Sequence, residues 1–337
     1  MPDLSVIICT HNPRADYLRR VLDALRVQTL TAAQWELLLV DNASRERLAG
    51  LWDLSWHPQG RIIREDETGL TPARLRGIRE SRGELLVFVD DDNVLAADYL
   101  ANAVKIAGTW PMVGAFGASI SGEFELPPPD WITPYLECLA IRELDRDYWC
   151  NLDGLSSALP CGAGLCVRRG VASDYLRKAG ANAFRKMLDR SGVGLSSGGD
   201  SDFAQCAVDI GLGTGRFMAL RLLHLISAGR MTADYIIRLY AGLAASEVML
   251  SFLRPKAGSS SPPGWESEVR FLFNYLRATG IRKKILRAAH RARKQARRLI
   301  STLPPVVQNE ELPGQNTVSV PVNKLETIQV SGKGKTC

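Results

Sequence analysis

Glu84-Leu-Leu-Val-Phe-Val-Asp90-Asp91-Asp92-Asn93 is the stretch on which the reading of this chain turns. An apolar run of strand length ends abruptly in three carboxylates. Adjacent carboxylates repel one another, so the cluster must be solvated, paired, or holding a cation. A divalent metal bridging such carboxylates and a diphosphate is an economical solution, because Mg²⁺ prefers a few protein oxygens together with phosphate oxygens. The alternative is a polar turn that caps the next helix through Asp92 or Asn93.

Outward from this stretch, β-rich runs and helical patterns alternate. Leu4-Ser-Val-Ile-Ile-Cys-Thr10 is a strand, residues 35–40 form a second ending at Asp41-Asn42, and residues 61–64 form a weaker third. Tyr17, Val21, Leu22 and Leu25 recur at helical spacing, and residues 71–81 and 96–107 read as further helices. This alternation is the signature of βαβ units on a mainly parallel α/β sheet flanked by helices. Three of the strands end in polar residues at their carboxyl ends, the edge where open α/β sheets bind ligands.

Past residue 107 the pattern loosens. Residues 112–120 supply a strand, Pro127-Pro-Pro-Asp-Trp131 a stiff turn, and Gly162-Ala-Gly-Leu-Cys-Val167 a Gly-rich turn opening another strand. Ser196-Ser-Gly-Gly-Asp200-Ser-Asp202-Phe203 opens a helix over 201–210, where Asp200 and Asp202 also suit plain capping. A late strand over 216–223 ends at His224. From residue 231 the β signal vanishes, and helical patterns cover 232–252, 266–278 and 282–300, with a Gly/Ser/Pro-rich break at 257–264. The expected division is therefore residues 1–230, a helical extension over 231–300, and a flexible tail over 301–337.

The 337 residues are 46% hydrophobic and 23% charged, the proportions of a folded protein. Forty-two Lys and Arg against 36 Asp and Glu give +6, which alone suggests nucleic acid or an anionic membrane as partner. The charge is not spread evenly. Residues 269–309 hold 11 of the basic residues and no acidic one, leaving 31 basic against 36 acidic elsewhere, a net of −5. Seven cysteines at irregular spacing argue against a disulfide framework and for a reducing compartment. The N-terminus enters a strand at once, so no secretion signal is expected, and Arg238 and Glu247 interrupt the apolar run 235–253, so no membrane span is expected. Gly211-Leu-Gly213-Thr-Gly215 imitates a dinucleotide loop but follows a helix and precedes a strand, which marks a helix stop instead. Ser331-Gly-Lys-Gly-Lys-Thr336 imitates a phosphate loop without a preceding strand.

Taken in order, these pieces resemble the family 2 glycosyltransferases of the GT-A fold, over roughly residues 4–250. Thr10-His11-Asn12 resembles the family's nucleotide-facing turn, and Val40-Asp41-Asn42 the strand end whose Asp contacts the base. Gly69-Leu-Thr-Pro-Ala73-Arg74 is similar to the G-x-x-x-A-R element beside the nucleotide, and Asp90-Asp91-Asp92 to the D-x-D metal and diphosphate site. Pro160-Cys-Gly162-Ala163-Gly164 resembles the turn lining the acceptor pocket. Gly199-Asp200-Ser-Asp202 resembles the E-D-x-D segment with Asp200 at the base position, and His224-Leu-Ile followed by Arg230 the H-x-x…R stretch. Two departures stand out: Gly199 replaces the Glu before the base, and Met218 replaces a Pro before the His-bearing strand.

The resemblance implies an inverting transfer of sugar from a nucleoside-diphosphate-sugar, with a UDP-sugar favoured, to a hydroxyl of a glycan or lipid-linked acceptor. Asp200 is the expected general base, with Asp202 its competitor. Asp90, Asp92 and His224 are the expected ligands of Mg²⁺ or Mn²⁺. Thr10, Asn12, Asp41, Arg74 and Asp91 are the expected donor contacts, and Gly162, Ala163, Gly164 and Asp202 the acceptor side. The basic helix 282–300 suits an anionic membrane better than nucleic acid, because no aromatic residues interleave its charges. Cytoplasmic, peripheral membrane association is the expectation. A nucleotidyltransferase on a related fold, and a non-catalytic nucleotide-sugar-binding relative, are the competing readings.

Overall fold

The computed structural model describes residues 2–152, 154, 157–189, 196–255 and 264–302, built on a nine-stranded mixed sheet. The first half is βαβ in character: β1 (Leu4–Thr10), α1 (Ala15–Arg26), β2 (Trp35–Asn42), β3 (Gly60–Glu65), α2 (Leu70–Glu80) and β4 (Leu85–Asp90). β1 lies between β2 and β4, all parallel, with β3 outside β2. Because helices cover both faces, these strands read as continuous apolar runs rather than alternating ones. Leu18, Val21, Leu22 and Leu25 of α1 pack on one face; Ala73, Leu75 and Ile78 of α2 pack on the other. The register sets Thr10 beside Asp41 and Cys9 beside Asp90, so the polar ends of β1, β2 and β4 come level at one edge.

Then follow β5 (Asn93–Leu95), α3 (Tyr99–Thr109), β6 (Val113–Phe124), β7 (Tyr148–Cys150), β8 (Leu165–Arg168), α4 (Arg169–Ala181), α5 (Gly199–Asp209) and β9 (Gly213–Ile226). The sheet order is β3-β2-β1-β4-β8-β6-β9-β5, with β7 on β9. β8 runs antiparallel between β4 and β6. The short strands β5 and β7 and the helix α4 lie outside the sequence reading. Three residues hold too little periodicity to announce a strand. The expected turn near Pro127 leads into a 3-10 helix, Asp130–Leu139. β9 also runs further than expected, carrying His224 inside the strand, where it pairs with Asn93 of β5 and Gly122 of β6. Gly211 ends α5 with φ 81°, the helix stop anticipated for that Gly-rich stretch.

The C-terminal region is helical as expected: α6 (Ala233–Leu253), α7 (Gly264–Arg277) and α8 (Gly280–Ser301). Its packing crosses the division expected at residue 230. Ile236 and Leu239 of α6 and Ile285 of α8 share one apolar cluster with Ile132, Leu139, Ile226 and Met231. Residue 230 therefore marks a change of sequence character, not an edge of the core, and residues 2–302 fall within one compact unit. α6 is long and apolar enough by composition to cross a bilayer, yet its Glu247 pairs with Arg293 of α8 at 2.9 Å. The break at 257–264 lies largely, and the tail at 303–337 wholly, outside the described residues. The six described cysteines are free thiols.

One buried carboxylate ties the parallel strands together. Glu36 of β2 is fully buried and accepts from Ser5 Oγ of β1 at 2.7 Å, Arg82 Nε at 3.0 Å and an Arg61 guanidinium N–H at 3.2 Å. Burial alone lifts its pKa, but the hydrogen bonds from Ser5 and Arg82 outweigh it and hold the group below the ordinary range. Glu36→Gln is expected to cost about 2–3 kcal/mol, the scale for hydrogen bonds to a buried charged group. A depressed folded-state pKa stabilises above the unfolded value and is lost as pH falls through the folded one. The gap between wild type and variant should thus narrow below about pH 4, as urea unfolding at pH 6 and pH 3.5 will read.

Candidate active site

The polar strand ends open onto a cavity of about 700 Å³. Its floor is the edge of β1, β2 and β4, where Cys9, Thr10, Asn42 and the three aspartates Asp90, Asp91 and Asp92 are exposed to it. α2 contributes Ala73 and Arg74, and the turn before β8 contributes Gly162 and Ala163. The start of α5 adds Asp200, the end of β9 His224, and the far wall is α6, through Tyr235, Leu239, Leu243, Ser246, Glu247 and Leu250.

The acidic edge is built by register. Asn93 pairs with His224, and the Leu225 N–H donates to the Asp92 carbonyl at 2.9 Å, so β5 pins the third aspartate beside the histidine. Arg230 bonds Asp92 Oδ2 at 3.0 Å and His224 Nε2 at 2.9 Å, which makes Nε2 the acceptor. His224 Nδ1 is buried with no hydrogen-bond partner among the described residues. Thr10 donates its hydroxyl to Asp91. Burial, reinforced by the charges of Asp92 and Asp90 and eased by Thr10 and Arg230, pushes Asp91 up to about 7. Three clustered carboxylates and an imidazole thus lie together at this edge, with the Arg230 guanidinium on Asp92. An oxygen-rich, electron-dense set of this kind fits Mg²⁺ or Mn²⁺.

Across the cavity, Asp200 stands in the first turn of α5 with both oxygens oriented by backbone. Oδ2 accepts the Gly162 N–H at 2.7 Å and Oδ1 the Ser201 N–H at 2.9 Å. Each oxygen keeps a lone pair for another donor. Gly162 is required by crowding, since a Cβ there would lie 2.7 Å from an Arg74 nitrogen and 3.4 Å from Asp200 Cβ. Gly162→Ala should displace both side chains and lower kcat/KM of a reaction carried out in this cavity about tenfold to a hundredfold, without a comparable loss in thermal stability. Steady-state kinetics beside a melting curve will separate the two.

Sequence reasoning passed over Asp189. This buried carboxylate lies at the end of a 3-10 turn, Ala183–Leu188, and lines the same cavity. It accepts from Thr71 Oγ1 at 2.7 Å and pairs with Arg74 at 3.2 Å. Burial pushes its pKa up, against the pull of Arg74 and Thr71, while Arg74 stays protonated. A Cβ on Gly199 would lie 2.3–2.4 Å from the Asp189 carboxylate atoms, so Asp189 fills the space that a side chain at 199 would occupy. The only signal in the sequence is the Gly199 departure itself.

Residues 5–156 match the family model described as glycosyl transferase family 2. This part of the chain is similar to the family 2 glycosyl transferases. Relatives include glycosyltransferase AglE of Haloferax volcanii, 31% identical over 113 residues, covering 32% of this chain and 37% of that protein. An N-acetylglucosaminyltransferase of Sinorhizobium fredii is 28% identical over 211 residues, 60% of this chain and 46% of the relative. The chain thus spans less than half the length of these curated relatives. Among solved structures, the mannosyltransferase PcManGT of Pyrobaculum calidifontis, in complex with GDP-Man and Mn²⁺, aligns with TM-score 0.48 at 20% identity, covering 90% of this chain and 77% of that one.

Within the matched region and its continuation, the cavity gathers Thr10, Arg74, Asp90, Asp91, Asp92, Gly162, Ala163, Asp200 and His224. Four expected site residues are placed elsewhere. Asp41 is buried behind the edge, accepting from the Ser44 and Leu48 N–H groups and from Arg64 at 2.8–3.1 Å, and so shapes the loop after β2. Asn12 is exposed, with φ 49°, and cross-links the same loop by donating its N–H to Ser44 Oγ and accepting from Arg45. Gly164 has φ 69° and its carbonyl accepts from Tyr99, a turn position rather than a wall. Asp202, expected beside the acceptor, is fully buried between Arg185 and Arg254. Three residues on from Gly199, it lies on the core side of α5, where two guanidiniums neutralise it. Away from the cavity, Asp174, Cys206 and Asp209 bring ligand atoms within 4.8 Å of one another, but Lys178 bridges both carboxylates and Arg254 bonds Asp209, so the chain already supplies the cation.

Proposed function

We propose that the protein transfers a sugar from a nucleoside-diphosphate-sugar to an acceptor hydroxyl, with inversion at the anomeric carbon. The observation that carries this reading is one cavity with the Asp90–Asp92 edge on one wall and the backbone-oriented Asp200 on another. In the proposed step Asp200 removes the proton from the acceptor O–H, and the acceptor oxygen forms its bond to the anomeric carbon. The bond from that carbon to the diphosphate oxygen breaks, and its electron pair leaves with the diphosphate. A general base of this kind contributes about 10²–10⁴ in rate.

Asp90 and Asp92, with His224 beside them, would hold a divalent cation, which when bound offsets the charge gathering on the departing diphosphate. Thr10 orients Asp91 on the donor side. Arg74 adds a fixed positive charge beside Asp200, and Asp189 with Thr71 positions Arg74. The apolar side of the cavity, Leu239, Leu243 and Leu250 of α6, excludes water from the reacting centre.

The test is release of nucleoside diphosphate from a panel of sugar nucleotides with Mg²⁺, Mn²⁺ or EDTA. The name of the rhizobial relative supports placing UDP-N-acetylglucosamine first in the panel. Turnover should require the metal and fall at least about a hundredfold in Asp92→Ala, the scale of losing an electrostatic contact at a developing charge. Metal-independent turnover, or activity unchanged in Asp92→Ala, overturns the reading, and pyrophosphate as product assigns a nucleotidyltransferase instead.

A further inference from the structure

Helices α7 and α8 carry a surface that the proposed glycosyl transfer does not use. Val269, Leu272, Phe273 and Leu276 of α7 are 59%, 54%, 53% and 70% exposed. Their spacing of three, four and seven residues puts them on one stripe of the helix. The other side of α7 is engaged: Phe271 stacks on His290 of α8 at 3.8 Å, Glu268 reaches Lys294 at 3.2 Å, and Tyr275 lies under Lys283. Soluble surfaces scatter large apolar groups singly, whereas a contiguous stripe marks a docking site.

The charge around the stripe specifies what docks. On α8, Ile285, Ala289 and Ala296 are buried, on the side packed against α6. Lys284, Arg287, Arg291 and Arg298 are exposed and share a separate flank, spaced by three, four and seven residues. The contacts of residues 268, 271 and 275 with residues 294, 290 and 283 show that α7 runs antiparallel to α8. Helical geometry then turns the α7 stripe toward the same side as that basic flank. Arg277 adds a cation at the rim, 4.2 Å from the Phe273 ring centroid. No acidic residue occurs from 269 to 309, although the remainder of the chain is net acidic.

We propose that α7 and α8 together dock this protein on an anionic lipid surface, the α7 stripe entering the headgroup boundary while Lys284, Arg287, Arg291 and Arg298 face the lipid phosphates. An interfacial helix needs both an apolar face and cationic flanks, and strength scales with each. A thin alanine stripe on α8 gives only the second; α7 provides the first. Because α8 packs on α6, and α6 is a wall of the cavity, docking holds the cavity close to the bilayer surface. The surface stands independently of the sugar chemistry.

The experiment is co-sedimentation of the full chain with phosphatidylcholine vesicles, with and without phosphatidylserine, at low and high salt. Wild type should pellet with phosphatidylserine vesicles, less at high salt, and little with phosphatidylcholine alone. Leu272→Glu/Leu276→Glu and Arg287→Glu/Arg291→Glu should each weaken partitioning about tenfold or more while nucleoside diphosphate release in solution stays intact. All four side chains are exposed, so these variants should fold. Equal pelleting of wild type and variants overturns the proposal. So does loss of a concentration-dependent dimer in light scattering with unchanged lipid partitioning, which assigns the face to a second copy. Loss of binding on deleting residues 303–337 while Leu272→Glu/Leu276→Glu still binds assigns it to the tail.

Discussion

Asp200→Asn is expected to lower kcat about a thousandfold and to leave KM for the donor within about twofold, the signature of a lost general base. The amide keeps the shape of the carboxylate and can still accept one of the two backbone N–H groups, from Gly162 or Ser201, so the start of α5 should hold. What it cannot do is take a proton at neutral pH. Asp202→Asn supplies the contrast. Its carboxylate lies buried between Arg185 and Arg254, and removing the charge takes the carboxylate they share away from both guanidiniums, at a cost of about 3–5 kcal/mol in stability. Thermal unfolding should therefore separate the two aspartates in one direction and kcat in the other. A fall in kcat under tenfold for Asp200→Asn would remove it as the base, and a raised KM at constant kcat would make it a binding residue.

Much of this contrast was invisible at the level of sequence, for a physical reason. Asp200 and Asp202 are both acceptable in a first helical turn, and spacing alone puts them on different faces without saying which face meets the core. The answer comes from Arg185 and Arg254, which approach from distant parts of the chain. The parallel half was legible because strands buried on both faces carry their own signal: runs of Val, Ile and Leu ending in Thr10, Asp41 and Asp90. In the second half β6, β8 and β9 were anticipated, but the two short strands were not. β5 and β7 are three residues each and exist because β9 offers them an edge, a property of the partner and not of the segment. The same limit explains Asp41 and Asn12. Their place at strand ends was readable, but whether a polar side chain faces the ligand or ties down its own loop depends on Arg64, Ser44 and Arg45.

The helical end shows the opposite imbalance. Composition alone isolated the basic segment and directed attention to α8, whereas the apolar stripe that gives the surface its second half belongs to α7. Its four apolar residues look like an ordinary core face until α8 is seen to engage the other side of the helix.

The carboxylate at position 189 carries the other large prediction. Gly199 stands where the family pattern has Glu, and Asp189 fills the space next to it, bonded to Thr71 and Arg74. If Asp189 supplies from a separate turn the charge that the family pattern carries beside the base, the two positions should compensate each other. Asp189→Ala leaves Arg74 buried without its carboxylate partner and should cost about 3–5 kcal/mol in stability together with most of the activity. Gly199→Glu alone sets a side chain 2.3–2.4 Å from the Asp189 carboxylate and adds a like charge, and should be as damaging. In the double variant the space is empty and a carboxylate returns, so stability and kcat/KM should recover well above either single variant, with an interaction energy of about 1–3 kcal/mol in the favourable direction. Asp189→Asn serves as the control, retaining volume and the Thr71 bond but not the charge; a kcat loss with an unchanged melting temperature would separate positioning of Arg74 from mere support of the fold. A double variant no better than the worse single would mean that Asp189 is a local packing solution for its own turn, and that Gly199 records only the absence of a side chain.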